Sequence, residues 1–111
     1  MELIEIKQQT INTQLVNSVS ARELHKVLES AERFSVWWDR MAGYGLCIGL
    51  DYTPYIFVHP QNKQESQDYA LSIDAAKEIC MIQGSEKGKE AIQYFIACEK
   101  QLKQKFQLPD F

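Results

Sequence analysis

Apolar residues change their spacing repeatedly along the chain, and each change marks an element. "LIEI" (3–6) and "TQLVNSV" (13–19) carry β-branched, partly alternating residues on either side of the polar "KQQTINT". That alternation predicts two short strands, paired as a hairpin or lying at an edge. From Ser20 the period lengthens. Leu24, Val27, Leu28 and Ala31 fall on one stripe of a helix starting near Ala21, while Arg22, Lys26, Glu29 and Ser30 lie elsewhere around it. Ser20 with Glu23 three residues on has the form of a capping box. A break near Ala31 to Arg33 leads into a second helix, where Phe34, Trp37, Trp38 and Met41 keep the helical spacing and "GYG" (43–45) ends it.

The stretch "LCIGLDYTPYIFVH" (46–59) is aromatic and β-branched, so it reads as a strand with Pro54 at an edge or bulge. "QNKQESQ" (61–67) has no apolar residue and predicts a solvated loop, and "DYALSI" (68–73) supplies the returning strand. Asp74 is placed to cap a third helix, "AAKEICMIQ", with Ala76, Ile79, Cys80 and Ile82 facing inward and Gly84 stopping it. Ser85 is placed to cap a fourth helix of about 21 residues, roughly 30 Å long at 1.5 Å per residue. The predicted fold is α+β: short N-terminal strands, a helix pair, a β-hairpin, then two helices ending in a long C-terminal one. A chain of 111 residues suits a single domain spanning 1–111.

Composition narrows the function. A hydrophobic share of 45% with 24% charged residues belongs to a folded globular protein, which argues against disorder over its length. No apolar run reaches the length of a membrane span, and the N-terminus lacks the pattern of a signal peptide, so no membrane partner and a cytoplasmic location are expected. Cys47, Cys80 and Cys98 are widely separated and odd in number, which suits small buried hydrophobes in a reducing compartment.

Catalytic chemistry finds little support. The chain has no phosphate-binding glycine loop and no nucleophile elbow. His25 and His59 have no His or Cys at metal-ligand spacing, so neither a metal nor a cofactor is expected, and His25 reads as an anchor for the first helix. Asp51, Asp68 and Asp74 sit where turn and capping geometry favours Asp. No enzyme activity is expected.

Recognition is the better-supported chemistry. Trp37 and Trp38 point about 100° apart on a helix, so one is expected in the core and Trp38 at least partly exposed in an interface, where Trp is enriched. The alternative leaves both half-buried under the hairpin. The helix pair also permits a helix-turn-helix reading with Arg33, Ser35, Asp39 and Arg40 outward. A net charge of −3, with Glu29, Glu32 and Asp39 near those arginines, makes it a poor reader of phosphate. In the last helix Ala91, Phe95, Cys98 and Leu102, flanked by Ile92, Ile96 and Phe106, cover more than one face. That distribution predicts packing by its own domain and by a partner, with Phe95, Leu102 and Phe106 as self-association residues of a homo-oligomer, a dimer being the commonest closed form.

"SARELHKVL", "FSVWWDR", "DYALSIDAAKEICM" and "EKGKEAIQYFIACEK" together resemble, in order and spacing, the blocks of the phage AntA/AntB antirepressor family over about residues 15 to 103. The resemblance implies a phage- or prophage-encoded regulator, often the N-terminal part of a longer protein, that binds a phage repressor and so frees its operators. Arg33, Trp38 and Arg40 are the partner-binding candidates. Related phage domains of the Bro and KilA type bind DNA, which makes a DNA-binding transcriptional module the alternative. The chain has Ile92 and Gln93 where the family often has two basic residues before Tyr94 and Phe95, and this departure weakens the DNA reading.

Overall fold

The order of strands and helices follows the α+β plan that the spacing predicts, with boundaries shifted by tertiary pairing. The computed structural model describes residues 4–11 and 14–106. Along the chain run β1 (Lys7–Ile11), β2 (Gln14–Ser20), α1 (Ala21–Leu28), α2 (Phe34–Ala42), β3 (Tyr52–Val58), β4 (Glu65–Ser72), α3 (Ile73–Gln83) and α4 (Glu86–Phe106). The strands form one antiparallel sheet in the order β1-β2-β4-β3, and the helices cover it.

The first strand is the polar "KQQTI" rather than "LIEI". Its register runs from Lys7 opposite Ser18 to Ile11 opposite Gln14. Backbone pairing at a sheet edge needs no apolar side chain, so propensity was a weak guide there. Residues 4–6 lie outside any strand, and Ile4 is instead buried in the core, its carbonyl accepting a 2.7 Å hydrogen bond from the Tyr94 hydroxyl of α4. Leu3 lies outside the described residues.

Helix α1 begins where expected, with the Ser20 hydroxyl accepting from the Glu23 amide. It is shorter at its far end. Glu29 takes a left-handed conformation (φ 53°) directly after Leu28, so Ala31 lies beyond the helix, exposed. Pro54 sits on β3, an edge strand, as its missing N–H requires, and the stretch from Leu46 to Asp51 forms turns instead of extending the strand. Strand β4 starts at Glu65, inside the stretch predicted as loop, because Val58 pairs with Glu65 and carries the ladder into the polar end of the hairpin.

The third helix is capped by Ser72, whose hydroxyl accepts from the Ala75 amide at 3.1 Å. Asp74 lies in the first turn and pairs with Lys77 at 3.4 Å. Ile82 faces outward while Ala76, Ile79 and Cys80 are buried. Gly84, with φ at 65°, ends the helix, and Ser85 caps α4 by accepting from the Gly88 amide at 3.1 Å. At Gly88 the two helices touch so closely that a Cβ would lie 2.7 Å from the Cys80 carbonyl oxygen. Lys77 and Glu99 add a 2.8 Å ion pair between α3 and α4.

Candidate protein-recognition surface

Helix α2 presents two unlike faces. Its inner face carries Trp37 and Trp38, which are both buried, so the expectation that one of them is exposed does not hold. The reason is the notch in which α2 lies. Trp37 turns toward α1 and α3, packing on the His25 ring at 5.0 Å and donating from Nε1 to the Gln83 side chain at 3.2 Å. Trp38 turns toward the sheet, stacked on Tyr69 and edge-on to Tyr52. Two directions 100° apart therefore both find walls. Trp38, at 3% exposure, offers no surface to a partner.

His25 anchors the helix pair as expected, through a 2.8 Å hydrogen bond between its Nε2 and the Glu32 carbonyl oxygen. The Arg22 guanidinium lies 4.3 Å above the Phe34 ring, closing the first turn of α2 from the other side.

The outer face of α2 holds Arg33, Val36 and Arg40, spaced three and four residues apart and so aligned along one side. All three are exposed, Val36 to 47%. Arg40 is occupied by an ion pair with Glu32, and this contact holds the Glu32 carboxyl below the usual carboxylate range. Ser35 and Asp39 are exposed beside this row. The face is thus an apolar centre between two cations, one of them already neutralised by its neighbour.

A second feature escaped the sequence reading. Asp68, expected at the boundary of the returning strand, is not at its end. It lies within β4, 3% exposed, and accepts from the Ser20 hydroxyl, the Arg22 amide, the Tyr55 hydroxyl and the Tyr69 amide. Its signal was present in the alternation: Asp68 shares a phase with buried Ala70, two residues on. Burial, with the negative charge beside it, pushes the Tyr55 phenol up to about 12. Asp68 also lines a 590 Å³ cleft between the sheet and α1, together with Ser20, Arg22, Tyr55, His59 and Ser66. Among the described residues no buried side-chain polar atom lacks a partner, so Asp68 fastens the start of α1 to the hairpin.

The remaining candidates lie on α4. Phe95 is fully buried in the chain's own core, with Ala91 beside it in the same cluster, because α4 packs against α1 and α3 along this stripe. It has no surface for self-association. Leu102 and Phe106 belong to α4, and their side chains lie outside the described residues. Of the cysteines, Cys80 is buried, which pushes its thiol up to about 12; Cys98 is half-buried and Cys47 exposed, contrary to the expectation that all three are interior. Cys47 sits in the loop before β3, exposed.

Among the described residues no group of three His, Cys, Asp or Glu side chains is arranged to hold a metal ion, and no helix is long and apolar enough to cross a membrane. Comparison with curated proteins and with solved structures gave no match. The model of the AntA/AntB antirepressor family matches residues 19–85. The match runs from the end of β2 to the cap of α4 and so contains the helix pair, the hairpin and α3. The "EKGKEAIQYFIACEK" block lies beyond it. Because the matched residues make up more than half of the chain, it belongs to the AntA/AntB antirepressor family, a family of phage regulators rather than enzymes.

Proposed function

We propose that this protein acts as an antirepressor by binding a phage repressor protein, which lets the repressor's operators go and lytic genes be expressed. The outer face of α2 carries the reading: exposed Val36 lies between Arg33 and Arg40 on a helix held rigid by two buried tryptophans. An uncharged apolar centre with flanking arginines suits a protein surface, where Arg is enriched at interfaces and among binding hot spots. Trp38 supports that face from beneath. Self-association belongs to the same reading, as does folding of the whole chain as one domain in the bacterial cytoplasm.

Direct sequence reading of DNA is the second reading, motivated by the helix pair followed by a hairpin. Exposed Asp39 and the Glu32 carboxylate on Arg40 count against it, since phosphate contact needs unpaired cations. A pull-down with the intact protein from a lysogen of its phage tests the proposal. Recovery of a helix-turn-helix repressor, lost with Arg33→Glu, is the expected result. Recovery of operator DNA without a repressor contradicts it.

A further inference from the structure

Among the described residues, β3 is an edge strand whose outer backbone side is paired only at Tyr52, by a short bridge to Ile48. Its hydrogen-bonding directions follow from its ends: the Asp51 carbonyl accepts from the Ser72 amide and the His59 amide donates to the Gln64 carbonyl, so odd-numbered residues turn toward β4. Even-numbered residues turn outward. Tyr52 obeys this, its carbonyl accepting from the Gly49 amide outside the ladder, and Pro54 obeys it by having no N–H to lose. Among the described residues, the outward N–H and C=O groups of Ile56 and Val58 remain without a strand partner. Their side chains are exposed to 64% and 55%, on the face that carries Tyr52 but past the cover of the helices.

We propose that two copies of this chain pair through β3, antiparallel and edge to edge, about a two-fold axis at Phe57. This names the surface for the self-association included above and rests on that reading. In this register Ile56 of one copy faces Val58 of the other, each pair exchanging both backbone hydrogen bonds, and the four aliphatic side chains gather on one face. The sequence "PYIFVHP" is bracketed by Pro54 and Pro60, which fall opposite each other at both ends of the paired stretch and stop the ladder there. Tyr52–Val58 carries no charge, so a second copy meets no like-charge repulsion, whereas the opposite sheet edge begins with Lys7. The contact is isologous and closes on itself.

Sedimentation equilibrium of the full chain up to about 500 μM, a range that captures weak interfaces, combined with amide hydrogen exchange tests the pairing. The expected result is a dimer whose Ile56 and Val58 amides gain protection as concentration rises. Val58→Lys, at an exposed position, should leave the near-ultraviolet dichroism unchanged and raise the dissociation constant about tenfold or more, as expected for two lost cross-strand pairs and a charge in the contact. A dimer that keeps these two amides unprotected and ignores Val58→Lys overturns the edge pairing while self-association stands. A monomer throughout overturns both. The exchange readout on the unsubstituted chain decides the matter even if the variant does not fold.

Discussion

Trp38 lies flat against Tyr69, their ring centroids 4.2 Å apart and their planes 18° from parallel. The contact joins α2 to β4 and fixes which side of the helix faces solvent. Arg33, Val36 and Arg40 owe their exposure to it. On the proposed reading, structural and recognition roles separate on one helix. Trp38→Ala should cost about 3–5 kcal/mol of stability, as for large aromatic truncations in a core. Arg33→Glu should change stability by less than about 0.5 kcal/mol, as for ordinary surface substitutions, while weakening repressor binding about tenfold or more. Denaturant unfolding and titration calorimetry on both variants separate the effects.

Ser20 does two jobs, capping α1 and donating to Asp68. Ser20→Ala should cost about 2 kcal/mol, the sum of a cap and a buried hydrogen bond. Ser72→Ala, which removes a cap alone, should cost about 1 kcal/mol, and Asp74→Ala less than half of that, since its exposed ion pair contributes little. Urea midpoints in that order support the cap assignments; Asp74→Ala ranking above Ser72→Ala contradicts them.

Burial raises the phenols of Tyr55 and Tyr94 from 10.0 to about 12. A group whose folded pKa lies above its unfolded value favours folding while it keeps its proton. The contribution is complete below pH 10 and vanishes as pH rises toward 12. Stability should fall across that window, and Tyr55→Phe should make the fall shallower. Ultraviolet titration of tyrosinate, read beside circular dichroism, checks it: ionisation of both phenols well before unfolding is the contrary outcome.

Gly88→Ala tests the closest approach of α3 and α4. Alanine gains about 1 kcal/mol of helix propensity over glycine. Its methyl group, however, meets the Cys80 carbonyl oxygen at 2.7 Å, and backbone cannot move aside as a side chain does. The net effect should be a loss of about 1–3 kcal/mol, the usual range for overpacking. A higher melting temperature for the variant contradicts the packing described.

Much of this architecture was legible in the spacing of apolar residues. Ser20, Gly84 and Ser85 announced helix ends because capping chemistry is local, and Pro54 announced an edge because a missing N–H is local too. What escaped notice depended on partners far along the chain. Lys7–Ile11 is a strand because β2 offers it a backbone, and Glu65–Gln67 because Val58 fixes the register. The candidate surface was half legible. Arg33 and Arg40 are exposed as expected, yet the burial of Trp38 required Tyr69, 31 residues away, and that of Phe95 required the packing of α4 on α1 and α3. The burial of Asp68 was not legible, because its donors come from residues 20, 22 and 55 as well as from its neighbour.

On the proposed reading the chain acts on a repressor and not on the operator. Fluorescence anisotropy of a labelled operator, first saturated with the phage's repressor and then titrated with this protein at physiological salt, tests this. Anisotropy should fall to the value of free DNA, a complex of the two proteins should be recovered, and Arg33→Glu should suppress both. A rise in anisotropy on adding this protein to the operator alone, with an affinity that drops steeply as salt increases, would instead make the chain a DNA reader.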